Sequence, residues 1–233
     1  MAFQPAEDIG RARVAEYDEK GSWVDAIVTV GDLPQLLSAR TFPARMSLAL
    51  LVWLTMACAV FMVLEAAGLR TTLLLSFKGD IKRESRWLAQ YGQAVCTAVA
   101  AALIWQLDPR RRAMVLPLIL AVAGATFVAT AIKRLVGRVR PGRDKAGKFL
   151  GPSWRHANYR ESFPSSHSAA AVALTVMLSL HSMYPQATAT FWALALACAC
   201  LRYLLDSHWP SDVLGGIALG YGVAYAVASV FHM

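Results

Sequence analysis

The chain has 233 residues, of which 57% are hydrophobic and 16% charged, with a formal net charge of +8. Soluble domains carry about 25% charged residues, so the composition excludes an ordinary water-soluble domain unless its core is unusually large. A positive balance admits nucleic acid, anionic lipid or a phosphorylated substrate as partner, and the placement of the charge decides among them.

Residues 1–45 are polar and mixed and lack the basic–apolar–small-residue order of a cleaved signal peptide. The first apolar run therefore reads as an uncleaved insertion signal. Trp23, Ile27, Val30 and Leu33, followed by Pro34 and Leu36–Leu37, admit a short interfacial helix broken at the proline. A loosely ordered tail is the alternative.

A membrane-spanning helix needs roughly 20 mostly apolar residues. Six runs qualify: Met46–Leu64, Trp87–Leu107, Ala113–Ile132, Ser168–Tyr184 (with Ser166 as an alternative start), Thr188–Leu205 and Val213–Phe231. The chain has too few polar residues to cover six such helices in water. The expected fold is all-α, a six-helix membrane bundle over 46–233 behind a polar tail over 1–45. Glu65 and Asp108 fall at run ends, where polar groups reach water. Cys58, Cys96, Cys198 and Cys200 lie inside apolar runs, without zinc-site spacing, and read as small packing residues.

The polar segment between the third and fourth runs is long for a compact domain. Nine of the 23 Lys and Arg residues fall between Lys133 and Arg160, with Asp144 the sole acid among them. Lys133 and Arg140 are seven residues apart, so on a continuing helix both project from one face, roughly 10 Å apart along the axis. Pro141 would end that helix. Headgroup anchoring is the plainer use of such a pair. Phe163-Pro164-Ser165-Ser166-His167 opens the fourth run. Serine before an apolar run is an N-cap signal, and a helix N-terminus binds anions, with His167 beside it. Arg202 to Asp212 joins the fifth and sixth runs. Pro210 suits a first helical turn, and Asp212 in that turn suits its positive end. Asp212 can there hold His208 by one ring nitrogen and leave the other nucleophilic. A loop His and a loop Asp that never meet is the bland alternative. An even number of crossings separates these loops, so all three motifs open on one side of the membrane.

The order Lys133-x6-Arg140-Pro141, Pro164-Ser165-Ser166-His167 and Arg202-x5-His208-x3-Asp212 resembles the type 2 phosphatidic acid phosphatase (PAP2) superfamily. Two positions depart from its pattern. Ser166 stands where the family usually has glycine, and Leu201 where it usually has a serine that hydrogen-bonds phosphate. A hydrogen bond to a charged group is worth about 1.5–3 kcal/mol, so the second departure weakens phosphate binding without removing a reacting group.

The resemblance implies a membrane lipid-phosphate phosphatase with a lipid-phosphate substrate and no metal or other cofactor. Lys133, Arg140 and Arg202 would hold phosphate oxygens together with N–H groups at Ser165 and Ser166. His208 would attack phosphorus to form a phosphohistidine, with Asp212 fixing its tautomer. His167 would protonate the leaving group and then activate water. Arg134, Arg138, Arg143, Lys145, Lys148, Arg155 and Arg160 would rim the site or anchor acidic lipid. Trp154 and Trp209 would sit at the membrane interface.

Within that class the run His208-Trp209-Pro210-Ser211-Asp212 favours a polyprenyl pyrophosphate or broad-specificity phosphatase. A lipid A phosphatase and a lipid phosphotransferase would use the same residues. A transporter or lipid-binding membrane protein is the non-enzymatic reading, opposed by the lack of charges at run centres. Nucleic acid is excluded as a partner, because the basic residues lie in membrane loops and no reading helix is present. With the N-terminus inside, 8 basic residues lie inside and 15 outside, against the positive-inside rule. Family likeness instead implies a bacterial inner-membrane protein with its site on the periplasmic or outer face.

Overall fold

The computed structural model describes residues 11–17, 23–29, 47–69, 71–73, 79–153, 158–182, 184–205 and 208–233. The chain divides near Pro43, with the helices in the unit Ala44–Ser182 and Gln186–Met233. In the N-terminal unit, β1 (Arg11–Tyr17) pairs antiparallel with β2 (Trp23–Thr29), Arg11 opposite Thr29 and Tyr17 opposite Trp23. The interfacial-helix alternative is thereby corrected over Trp23–Thr29. Val24, Ile27, Val28 and Thr29 are β-branched, and such residues fit a pleated strand better than a helix. Val30 to Leu37 lie outside the described residues.

The second unit is helical. Four helices are long and apolar enough to cross a membrane: α1 (Leu48–Ala66), α4 (Val115–Val136, preceded by a 3-10 turn over Pro109–Met114), α6 (Pro185–Leu204) and α7 (Pro210–Val230). Two further apolar helices are shorter, α3 (Ala94–Leu107) and α5 (Ser166–Leu180). The run Trp87–Leu107 is not one span. A separate helix, α2 (Gly79–Leu88), polar and with Trp87 exposed, ends before it. Gly92 then takes a left-handed conformation at φ +87°. A side chain there would meet the Ala171 backbone at 2.4 Å. The chain breaks because it must pass hard against α5. The break is tied down by Tyr91, whose hydroxyl shares a hydrogen bond with Thr175 at 3.1 Å, and by the Cys198 thiol, which donates to the Ala89 carbonyl at 3.3 Å.

Helix α5 occupies the centre, packed between α4 and α7 and buried along most of its length. Its sequence explains this position: Ala169, Ala170, Ala171 and Ala173 leave little between its backbone and its neighbours. On the facing helix, Gly216 and Gly220 make a Gly-x3-Gly stripe. A Cβ on Gly216 would lie 2.4 Å from the Ser165 carbonyl oxygen, and one on Gly220 would lie 2.2 Å from that of Ala169. Between helices in lipid, close approach of small residues supplies the packing energy that hydrophobic exclusion cannot. The outer helices read oppositely. Trp53 and Val63 of α1 and Val95 of α3 are more than 65% exposed, as side chains that face hydrocarbon should be.

Helix α4 ends earlier than the position of Pro141 suggests. Gly137 caps it in the left-handed conformation, its N–H donating to the Lys133 carbonyl at 2.9 Å. The Gly137 Cα faces the Gly151 carbonyl, leaving no room for a side chain. Arg140 therefore sits in the following loop, where its N–H donates to the Tyr159 carbonyl. The expected shared helical face with Lys133 does not exist.

Candidate active site

Four helix ends meet here: the C-termini of α4 and α6, which bring Lys133 and Arg202, and the N-termini of α5 and α7, which bring Ser166 with His167 and Asp212. His208, just before α7, is almost fully buried. Its Nδ1 lies 2.8 Å from the Ser162 carbonyl oxygen and 3.6 Å from Asp212 Oδ2. A carbonyl oxygen can only accept, so Nδ1 carries the proton and Nε2 keeps its lone pair. That nitrogen faces the Arg202 guanidinium, with Nη2 at 3.5 Å. Burial pulls the His208 pKa from the usual 6.5 down to about 4, against the opposing pull of Asp212. The imidazole is therefore neutral near pH 7.

Asp212 is in contact with His208, but the Ser162 carbonyl is the closer partner of Nδ1. The carboxylate is held by donors alone: Arg138 Nη1 at 2.6 Å on Oδ1, Ser162 Oγ at 2.5 Å and the Trp209 N–H at 2.8 Å on Oδ2. An ionised carboxylate has acceptor sites for all three. The Trp209 bond is also the cap of α7, which explains why Asp212 follows Pro210 by two residues.

The cationic side chains converge in part. Lys133, 7% exposed, donates from Nζ to Ser166 Oγ at 3.0 Å. Arg140 is held by the Asn158 carbonyl at 2.8 Å and by Asn158 Oδ1 at 3.0 Å, and burial lowers its pKa. His167 is half-buried on the first turn of α5, within electrostatic reach of Arg202, Lys133, His208 and Arg140. Ser165 is the N-cap of α5. It is fully buried, its hydroxyl accepts from Ser168 Oγ at 3.0 Å, and its own N–H donates to the Asp212 carbonyl at 2.9 Å. Ser165 thus caps α5, with its N–H committed to the Asp212 carbonyl. The first-turn N–H groups of Ser166 and His167 are the ones a helix leaves without an internal partner.

Three residues of this centre carry no motif. Ser162 supplies the carbonyl and hydroxyl already described. Arg138, expected at the rim, is instead 2% exposed and sandwiched between the rings of Phe149 and Trp209, each centroid 5.3 Å away. Trp209 is half-buried, and its Nε1 donates to the Val139 carbonyl at 3.1 Å. Trp154 and Arg155 lie outside the described residues. Glu65, expected to reach water, is also buried. It takes a hydrogen bond from Arg138 Nη2 at 2.6 Å and others from the Ser211 N–H at 3.1 Å and Ser211 Oγ at 2.5 Å. Two signals for Glu65 existed: it is the one charged residue of an otherwise apolar helix, and it stands at the negative end of that helix's dipole.

A helical membrane bundle whose polar site is assembled from four helix ends is the class these features define. The chain belongs to the PAP2 superfamily, whose model matches residues 114–233, just over half of the 233 residues. It is 34% identical over 107 residues to a lipid A 1-phosphatase of Rhizobium johnstonii, covering 45% of this chain and 43% of that protein. The chain thus spans less than half the length of that relative. It is 35% identical over 153 residues to the decaprenylphosphoryl-5-phosphoribose phosphatase of Mycobacterium tuberculosis, covering 63% of this chain and 78% of that one. The crystal structure of a transmembrane PAP2-type phosphatidylglycerolphosphate phosphatase from Bacillus subtilis matches its fold with a TM-score of 0.52 at 19% identity, over 86% of this chain and 92% of that one. The protein is an integral membrane protein.

Proposed function

We propose that the protein removes phosphate from a membrane lipid through a phosphohistidine on His208. One observation carries this reading: a buried neutral imidazole whose Nδ1 proton is committed to the Ser162 carbonyl and whose bare Nε2 faces Arg202. That nitrogen attacks phosphorus as the bond to the leaving oxygen breaks, and His167 gives the leaving oxygen its proton. The imidazolium so formed is stabilised by Asp212. Water, giving its proton to His167, then attacks phosphorus; the N–P bond breaks and phosphate leaves. Lys133, Arg140, Arg202 and the first-turn N–H groups of α5 balance the charge on the phosphoryl oxygens.

The substrate class is a polyprenyl-linked phosphate or pyrophosphate. The mycobacterial relative, named for a decaprenyl-linked phosphate, supports this and aligns with a larger share of the chain than the lipid A 1-phosphatase does. The short helices α3 and α5 complete six crossings, with the site on the periplasmic face of a bacterial inner membrane.

The test is phosphate release by the detergent-purified protein, with EDTA present. The panel is a polyprenyl pyrophosphate, decaprenylphosphoryl-5-phosphoribose, phosphatidic acid, phosphatidylglycerophosphate and lipid A, with His208→Ala alongside. Release by the wild type that vanishes in the variant supports the nucleophile, and the preferred lipid names the substrate. Release that survives His208→Ala sinks the mechanism. Reporter fusions at Gly151 that fall in the cytoplasm sink the orientation.

A further inference from the structure

We propose that Glu65 is a positioning residue for phosphoryl transfer, acting on Asp212 through Arg138 and on the start of α7 through Ser211. This rests on the phosphohistidine reading above and extends it to a helix that carries none of the three motifs.

The geometry is a continuous buried chain. The Glu65 carboxylate receives Arg138 Nη2, and the other terminal nitrogen of the same guanidinium donates to Asp212 Oδ1, both at 2.6 Å. The side chains are 3%, 2% and 0% exposed respectively. A guanidinium is planar and rigid, so fixing one of its ends by Glu65 fixes the direction of the other. The flanking rings of Phe149 and Trp209 restrict it further. Glu65 also accepts from the N–H and hydroxyl of Ser211. It therefore meets the positive N-terminus of α7, the helix that carries Asp212, which offsets its place at the negative end of α1.

Charge gives the arrangement its purpose. Arg138 and Asp212 alone would form a neutral pair, and the carboxylate would do little for a positive imidazole beside it. With Glu65 the trio carries two anions and one cation. The net negative charge is balanced when His208 becomes an imidazolium on forming the N–P bond. Glu65 never touches the substrate. Its effect should fall on the transfer step, where the positive charge appears, and not on substrate binding.

The experiment measures kcat and KM for the best substrate of the panel in detergent-purified wild type, His208→Ala, Glu65→Gln, Glu65→Asp and Glu65→Gln/Arg138→Gln, with folding checked by thermal denaturation. Glu65→Gln is expected to lower kcat about tenfold to a hundredfold, the range for partners that orient an active group from behind, with KM within about twofold. Glu65→Asp keeps the charge and should recover part of the loss. The double variant leaves the net charge of the trio as in the wild type but takes from Asp212 the guanidinium that aims it, and should lose kcat through that lost positioning. A folded Glu65→Gln or double variant with wild-type kcat, while His208→Ala is inactive, overturns the role of Glu65 alone. A loss confined to KM overturns it too. Activity retained in His208→Ala overturns the underlying mechanism and this proposal with it.

Discussion

The inner helices and the outer wall of this bundle solve different problems with similar hydropathy. In α1 only 6% of the most apolar stretch is buried within the protein, against 39% in α7. The wall presents large side chains such as Trp53, Val60 and Val63 outward. The inner helices present alanine and glycine to one another and end in charge. Apolar content says that a segment leaves water; the size of its side chains says whether it enters lipid or protein. The polar site sits where small-residue helices end, because only closely packed backbones can bring four helix ends together.

The strongest way to break this contrast is at the centre of the inner set. His208→Ala is expected to reduce turnover by at least about 10³-fold, as loss of a covalent nucleophile does, with the fold retained. On the wall, Trp53→Leu should leave turnover within about twofold. A wall substitution that matched the histidine would mean that α1's outer face takes part in the chemistry.

Next in size is the contact between α5 and α7. Gly220→Val would push its Cβ into the Ala169 carbonyl, 2.2 Å away, and nothing flexible is there to yield. Overpacking costs about 1–3 kcal/mol where a core can adjust, and here backbone meets backbone, so the loss should exceed that range or prevent folding. Thermal denaturation in detergent measures it. Gly68→Ala, at a glycine with open space around it, isolates the strain of its positive φ from any packing clash. Equal losses at Gly220 and Gly68 would remove close packing as the distinguishing property of the inner helices.

Sequence and structure agree where a signal is local. The apolar runs locate α1, α4, α6 and α7 because hydropathy reports the solvent directly. Ser165 and Pro210 mark the starts of α5 and α7 because caps are read within a turn. Failures arise where a distant segment sets the outcome. Gly92 breaks the second run because Ala171, far along the chain, stands against it. Gly137 ends α4 ahead of Pro141, which moves Arg140 off the expected face. Arg138 reads as one more rim cation, since neither of its anionic partners lies within 70 residues of it. Among the motif residues the structure brings Lys133 to Ser166, and Arg202 and Asp212 to His208. What orients Asp212 is written on α1, and no spacing rule connects Glu65 to it.

A smaller effect separates buried His208 from an ordinary histidine. Its pKa is depressed to about 4 by burial, so the nucleophile is neutral above that value and lost as pH falls through it. The enzyme's own acid limb in kcat/KM should therefore lie near pH 4, well below 6.5. A monoester substrate adds a limb near pH 6 from its second ionisation. The two are told apart by changing the substrate, since only the phosphate's limb moves. An enzyme limb near 6.5 that stays fixed across substrates would mean that the imidazole is solvated and not buried. For stability the sign is the same. A histidine kept neutral in the fold contributes fully above 6.5, and that contribution declines as pH falls from 6.5 to about 4.

The smallest expected effect tests Ser166, the residue that departs from the family's glycine. Its hydroxyl holds Lys133 Nζ at 3.0 Å, so one of the three ammonium donors is occupied before a phosphate arrives. Ser166→Gly frees that donor and removes a neutral acceptor that phosphate must displace. It also places glycine in the first turn of α5, where the entropy cost is about 0.5–1 kcal/mol at most. KM should fall about threefold, the worth of a modest hydrogen bond, with kcat unchanged and thermal stability slightly lower. The opposite split, with KM constant and kcat down by tenfold, would show that the hydroxyl keeps Lys133 aimed during transfer. In that case the serine would be a part of the inner machinery and not a tolerated substitution beside it.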